Sequence, residues 1–274
     1  MARANRLFIP GYIWHITHRC HKREFLFKFV RDRALWMELL FEARRRFRIA
    51  VLNYIVTSNH IHLIVSDNGV RDAIPRSMQL IAGRIGQEYN RRKGRKGAFW
   101  EDRYHATAIE SDSHLWKCMV YVDLNMVRAG VVDHPSAWKW SGYHEIQKPK
   151  QRYRIIDHQM LKTLLHLKTD EELSKTHQRW IEGKLKINPM ERQKRWSQSL
   201  AVGTQGFVER IKDQLGRRAQ GRVVSTVGSD CQLKETVTPF SRVSEEPIVE
   251  NSKSTKNTNS IDWQLEKEYP MILG

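Results

Sequence analysis

The sequence predicts an α+β fold in which an antiparallel sheet carries two helices on one face. Three observations lead there. Short alternating apolar segments are interleaved with segments of helical spacing, their order is strand, helix, strand, strand, helix, strand, and a seventh, helical segment is left over to cover the sheet's second face.

Each element has its own signal. Pro10-Gly11 makes a turn before "YIWHITHR", where Tyr12, Trp14 and Ile16 alternate with Ile13, His15 and Thr17, the pattern of a strand. In "RDRALWMELLFEARRRFR" (31–48), Leu35, Leu39, Leu40 and Ala43 recur at helical spacing beneath an arginine-rich outer face. "IAVLNYIVTS" and "HIHLIVSD" are two β-branched runs separated at Ser58-Asn59, a hairpin. From Asp72 to about Arg92 a helix is expected, with Ile74, Met78, Ile81 and Ile85 in register, and "RRKGRKG" and "FWEDRYHATAIES" follow as a basic loop leading into a strand. "SDSHLWKCMVYVDLNMVRAG" starts with an N-cap signal at Ser111 or Asp112 and stops before Gly130, so it reads as one helix. The first six elements form the split βαββαβ arrangement called ferredoxin-like, an architecture that by itself licenses no function.

The remainder divides the chain into 1–150, a helical C-terminal extension over 151–220 and a tail over 221–274. "DHQMLKTLL", "TDEELSKTHQRWIEGKL", "NPMERQKRW" and "TQGFVERIKDQLG" have the spacing of short helices. From 221 onward Ser, Thr, Asn, Glu and Lys dominate, a composition expected to stay disordered.

Composition narrows the function classes. Lysine and arginine total 47 against 30 acidic residues, a net charge of +17 concentrated in the first 150 residues, which favours a polyanionic partner. Three cysteines, Cys20, Cys118 and Cys231, have no CxxC spacing and support neither a disulfide framework nor a thiolate zinc site. "HRCH" (18–21) lacks a second ligand cluster at finger spacing. No apolar run approaches the ~18 residues of a membrane span, so a cytoplasmic protein without a membrane partner is expected.

The histidines of "SNHIHLIVSD" raise the question of chemistry. Strand alternation puts His60, His62 and Ile64 on one face, with the two imidazoles roughly 7 Å apart at the backbone, a spacing that suits convergence on one divalent ion and equally suits two packing histidines. On the last helix, Tyr121, Asn125 and Arg128 form a polar stripe, while Leu115, Met119, Val122 and Met126 form the apolar stripe that would dock it. Asp123 points away from that polar stripe.

Four blocks, "MARANRLFIPGYIWHITHRCHKREFLF", "YIVTSNHIHLIVSD", "GAFWEDRYHATAIESDSHLW" and "YVDLNMVRAGVVDHPSAWKWSGY", resemble in order and spacing the REP-associated tyrosine transposases of the insertion-sequence-200-like, single-tyrosine HUH superfamily. The resemblance covers about residues 1–145, and "GTQGFVERIKDQLG" is similar to the extension of longer members. It implies a nuclease domain in which His60, His62 and Asn125 hold Mg²⁺ or Mn²⁺ and Tyr121 is the catalytic nucleophile that cleaves single-stranded or hairpin DNA of REP type. Three positions depart from the family pattern: Met126 replaces a usual proline, Cys20 a glycine, and Asp123 an aromatic or histidine. DNA contacts are expected from Arg19, Lys22 and Arg23 in the first loop, from Arg91, Arg92, Lys93, Arg95 and Lys96 in the second, and from Arg103 and Arg128. Trp100 either stacks on a base or belongs to the core. The related branch implies a monomer, with a dimer as the alternative. The rival reading is a regulator that binds nucleic acid on the same fold without cutting it.

Overall fold

In the computed structural model, residues 9–187, 192–228 and 230–235 are described. β1 (Ile13–Arg19), α1 (Val30–Phe47), β2 (Ala50–Val56), β3 (His60–Ser66), α2 (Ala73–Lys93) and β4 (His105–Ile109) follow in the expected order. The strands lie side by side as β2-β3-β1-β4 with every pairing antiparallel, which is the ferredoxin-like topology. α2 runs to Lys93, against the expected end at about Arg92, and Gly94 takes a left-handed φ of 58° that caps the last turn.

Because residues opposite one another across paired strands share a face, the register sorts the side chains into two sets. Ile61, Leu63 and Val65 share a face with Trp14, Ile16 and Tyr54, all buried, and Tyr54 packs on Trp36 of α1 with ring centroids 6.0 Å apart. α1 contributes Leu39, Leu40 and Ala43 to the core, and α2 contributes Ile74, Met78, Ile81 and Ile85. The opposite face carries His60 beside Arg19, Thr17 between His62 and His105, and His15 between Ile64 and Thr107. The helix expected over 111–130 lies on that face as two segments, α3 (Ser113–Asp123) and α4 (Asn125–Arg128), interrupted at Leu124. The Leu124 N–H still bonds the Val120 carbonyl and the Arg128 N–H the Leu124 carbonyl, so the polar stripe survives the interruption. Leu115, Met119, Val122 and Met126 are buried as the docking stripe.

The C-terminal region departs from expectation. α5 (Tyr143–Gln147), α6 (His158–Leu164), α7 (Asp170–Ile187), α8 (Arg195–Gln198) and α9 (Gln205–Leu215) include the expected short helices, apart from residues 188–191, which lie outside the described set. Between and after them the chain returns to the sheet: β5 (Ala201–Gly203) runs parallel to β4, and the hairpin of β6 (Arg222–Val227) and β7 (Asp230–Glu235) pairs through β7 with β5. Among the described residues the sheet therefore has seven strands, in the order β2-β3-β1-β4-β5-β7-β6. This corrects the reading of a purely helical extension followed by a tail from 221. β6 and β7 form a hairpin, and the β-branched run of β6 was hidden by the polar average of the segment. The first compact unit ends at Glu235, and the rest of the expected tail, 236–274, lies outside the described residues. Among the described residues no helix is long and apolar enough to cross a membrane.

Candidate active site

His60 and His62 stand at the start of β3, ring centroids 5.0 Å apart and nearly perpendicular. Across from them α3 brings Tyr121, whose ring lies 5.7 Å from that of His62, and α4 brings Asn125, whose amide nitrogen is 3.0 Å from His62 Nε2. The four candidate side chains, separated by up to 65 positions in the chain, are thus assembled within one chain. Arg128 completes the helical stripe: its guanidinium carbon sits 4.2 Å from the centre of the Tyr121 ring, and its NH2 bonds the Tyr121 carbonyl.

The hydrogen bonds around the imidazoles decide which nitrogen faces the site. His60 Nδ1 lies 2.7 Å from the Asn59 side-chain oxygen and 2.9 Å from the Thr57 hydroxyl, so its proton sits on Nδ1 and Nε2 is left with a lone pair. His62 Nε2 receives the Asn125 amide N–H and is likewise an acceptor. Burial is the main cause that lowers the pKa of both rings, His60 to about 4 and His62 well below the ordinary value, with Arg19 and Arg128 adding to it. Two neutral neighbouring imidazoles, each with an unprotonated Nε2, next to a carboxamide whose oxygen is a hard donor, form a donor set that fits a divalent ion. Among the described residues no three His, Cys, Asp or Glu side chains converge as ligands, and the side chain beside His62 is the amide of Asn125.

The phenol and its neighbours oppose one another electrostatically. Burial pushes the Tyr121 pKa up, and the charges of Arg128, Arg192 and Arg19 pull it down, leaving it above its ordinary value. Arg128 is itself lowered to about 10 by burial.

Sequence reasoning missed several contributors. His15, noted only as a strand residue, is fully buried with Nε2 2.9 Å from His62 Nδ1. Its other nitrogen meets the carbonyl of Trp196 on α8 at 2.8 Å. The Trp196 ring stands 6.2 Å from that of Tyr121, and Arg192 acts on both His60 and Tyr121. The pattern His15-x-Thr17 on β1, in phase with His60-x-His62, was the one available signal; nothing in the sequence placed residues 192–196 beside it.

The basic candidates separate by position. Arg19 is exposed and directly opposite His60, and Arg128 touches Tyr121. Lys22 and Arg23, both with left-handed φ, lie in a loop tied to the site by the bond from the Cys20 N–H to the Asn59 carbonyl. Arg95 joins this loop through Glu24 at 3.8 Å, and Lys96 is exposed next to it. Arg91 pairs with Glu88 on its own helix, Lys93 lies over the Phe29 ring, and Arg92 is committed to the buried carboxylate of Asp32. Arg103 lines a cleft of about 610 Å³ with Arg71 and Arg218, which none of the four central side chains lines. Trp100 stacks on His18 at 3.8 Å and donates its N–H to the Ala82 carbonyl, which favours the core role over base stacking. Asp123 turns away from the site, accepting from Asn53 at 3.0 Å and His177 at 2.8 Å. His114 bonds Asp230 and His105 bonds the Ser199 carbonyl, so neither joins the central set.

Fold and site together define a ferredoxin-like domain with a histidine pair facing a helix-borne tyrosine. Residues 9–125 match the family described as "Transposase IS200 like". Among solved structures, a REP-associated tyrosine transposase bound to a REP hairpin is similar at 19% identity and a TM-score of 0.43, covering 57% of this chain and 90% of its own. No curated protein matches the chain.

Proposed function

We propose that the protein is a divalent-metal-dependent, single-strand DNA endonuclease and strand transferase that acts through a covalent 5′-phosphotyrosine on REP-type hairpins. The observation that carries this reading is the Tyr121 ring set 5.7 Å from His62, beneath the Arg128 guanidinium, in the same chain. His60, His62 and Asn125 would hold Mg²⁺ or Mn²⁺, and the bound ion supplies Lewis-acid polarisation of the phosphoryl oxygens. The chain's own residues account for the rest. Tyr121 Oη forms a bond to phosphorus as the P–O3′ bond breaks; the 5′ end stays on the phenol, and the departing 3′ oxygen takes up a proton to balance the one the phenol gives up. Arg128 favours the phenolate against the burial that disfavours it, and Arg19 faces the same space. Because no water enters the bond balance, a second 3′-OH can reverse the step and rejoin strands. The preference for REP-type hairpins and a monomeric state come from the sequence resemblance.

The test is a labelled single-stranded hairpin incubated with protein and Mn²⁺ and run on a denaturing gel. A slow-migrating covalent band is expected, lost in Tyr121→Phe while hairpin retardation on a native gel persists. Nicking by Tyr121→Phe at the parental rate would remove Tyr121 from the mechanism. Retardation by the parent without any covalent band would favour the non-cleaving binder.

A further inference from the structure

One buried group next to the site has no role in the mechanism above, and its bonds form a chain of defined polarity. His15 is 0% exposed and its partners are a carbonyl and another imidazole. A carbonyl can only accept, so the Trp196 oxygen requires a proton on His15 Nδ1. An imidazolium at this position would be fully desolvated with no carboxylate among these partners, so the second nitrogen, Nε2, carries no proton and accepts. The atom 2.9 Å away is His62 Nδ1, which must therefore be the donor. Thr17 Oγ1, 3.2 Å from the same Nδ1, offers a second acceptor. With its one proton held on Nδ1, His62 presents a bare Nε2 to Asn125 and the site.

We propose that His15 is a positioning residue: it relays the polarity of the Trp196 main-chain carbonyl to His62 and locks the tautomer whose Nε2 can bind a metal ion. Metal-binding histidines are commonly oriented by such a partner on the other ring nitrogen, and losing it costs about 10- to 100-fold in metal affinity. The unusual element is the origin of the orienting group. It comes from residue 196, beyond the segment that matches the transposase family; the neighbouring Arg195 NH1 ties it to the C-terminal hairpin at Asp230 Oδ2, 2.6 Å away, and Trp196 Nε1 donates to the nearby Gln193 at 2.8 Å. The extension would thereby act on the chemistry without placing a ligand in it. The inference rests on the proposed function only in treating His62 as a ligand.

The test uses the full-length chain, metal-free, with ¹⁵N-labelled histidine. Two-bond ¹H–¹⁵N spectra, with His62 assigned by its loss in His62→Ala, are expected to show Nδ1 protonated and Nε2 bare. In His15→Phe that preference should weaken and Mn²⁺ affinity, followed by electron paramagnetic resonance without DNA, should fall about 10- to 100-fold. His15→Gln, whose amide can donate to the carbonyl and accept from His62, should restore both. A wild-type His62 protonated on Nε2, or a His15→Phe protein with unchanged tautomer and Mn²⁺ affinity, would overturn the relay. If His15→Phe does not fold, the wild-type spectrum and the His15→Gln protein decide alone. A protein with the expected tautomer behaviour but no Mn²⁺ binding would leave the relay standing and remove the metal-dependent function instead.

Discussion

The two faces of the sheet make a controlled comparison, because adjacent residues of one strand report on them separately. On β3, Leu63 enters a face closed by the apolar stripes of α1 and α2, whereas His62 enters the face under α3. The first face is made by side chains that need only shape and volume. The second buries His15, Thr17, His62 and Thr107, and a buried polar group without a partner costs roughly 1–3 kcal/mol. Their partners come from distant chain: the Trp196 carbonyl takes His15, and the Ser199 carbonyl takes both His105 and Thr107. One face is closed by the helices of the βαββαβ core, while the other draws part of its hydrogen bonding from the C-terminal region. The lesson is that the polar face of the sheet is completed by the part of the chain whose sequence is least recognisable.

Five substitutions would break or sharpen that contrast. The largest effect is expected at His62→Ala, where metal-stimulated nicking should fall more than about a hundredfold, beyond the loss typical of an outer partner; the gel assay with and without chelator measures it, and full cleavage in chelator would count against the metal site. Its neighbour Leu63→Ala should behave oppositely, lowering unfolding free energy by about 2–5 kcal/mol while the folded fraction keeps its Mn²⁺ affinity. Denaturant titration read beside metal titration separates the two.

The docking of the extension is tested at Asp230, which accepts from Lys117 at 2.7 Å, His114 at 3.1 Å and Arg195. Burial alone would raise its pKa, but the Lys117 bond and the charges of Lys117, Arg195 and His114 outweigh it and hold the carboxyl below its ordinary value. A depressed carboxylate adds stability above the unfolded pKa of about 3.9 and loses it as pH falls through the folded value. Asp230→Asn should therefore cost about 1–3 kcal/mol at neutral pH, with the difference from the parent shrinking below about pH 4 in urea melts. The smallest effect separates the basic residues. Arg19→Ala should weaken single-strand binding and reduce the salt slope by about 0.7, whereas Arg91→Ala, whose charge is already paired with Glu88, should leave the slope nearly unchanged in a fluorescence titration.

Much of the fold was legible because its signals are local. The alternation of β1 and β3 and the helical spacing of Leu39, Leu40 and Ala43 each depend on residues within a few positions of one another. The central side chains were legible for the same reason: period two groups His60 with His62, and the helical repeat groups Tyr121, Asn125 and Arg128. β5 was not, since three residues are too few to show a period, and β6 was hidden by averaging its short β-branched run with the polar chain around it. His15 was visible as a strand residue, but its partner is a backbone carbonyl, and every residue type carries one.

By itself, then, the chain's order of residues determined the βαββαβ core, the faces of its strands and helices, and the side chains that could meet, because backbone periodicity converts spacing directly into direction. Only tertiary structure decided that β3 and α3 face each other closely enough for His62 and Tyr121 to be neighbours. It alone recruited residues 192–235 to the sheet edge and the site, because pairing through main-chain hydrogen bonds and burial against a docked surface depend on three-dimensional proximity that no sequence period encodes.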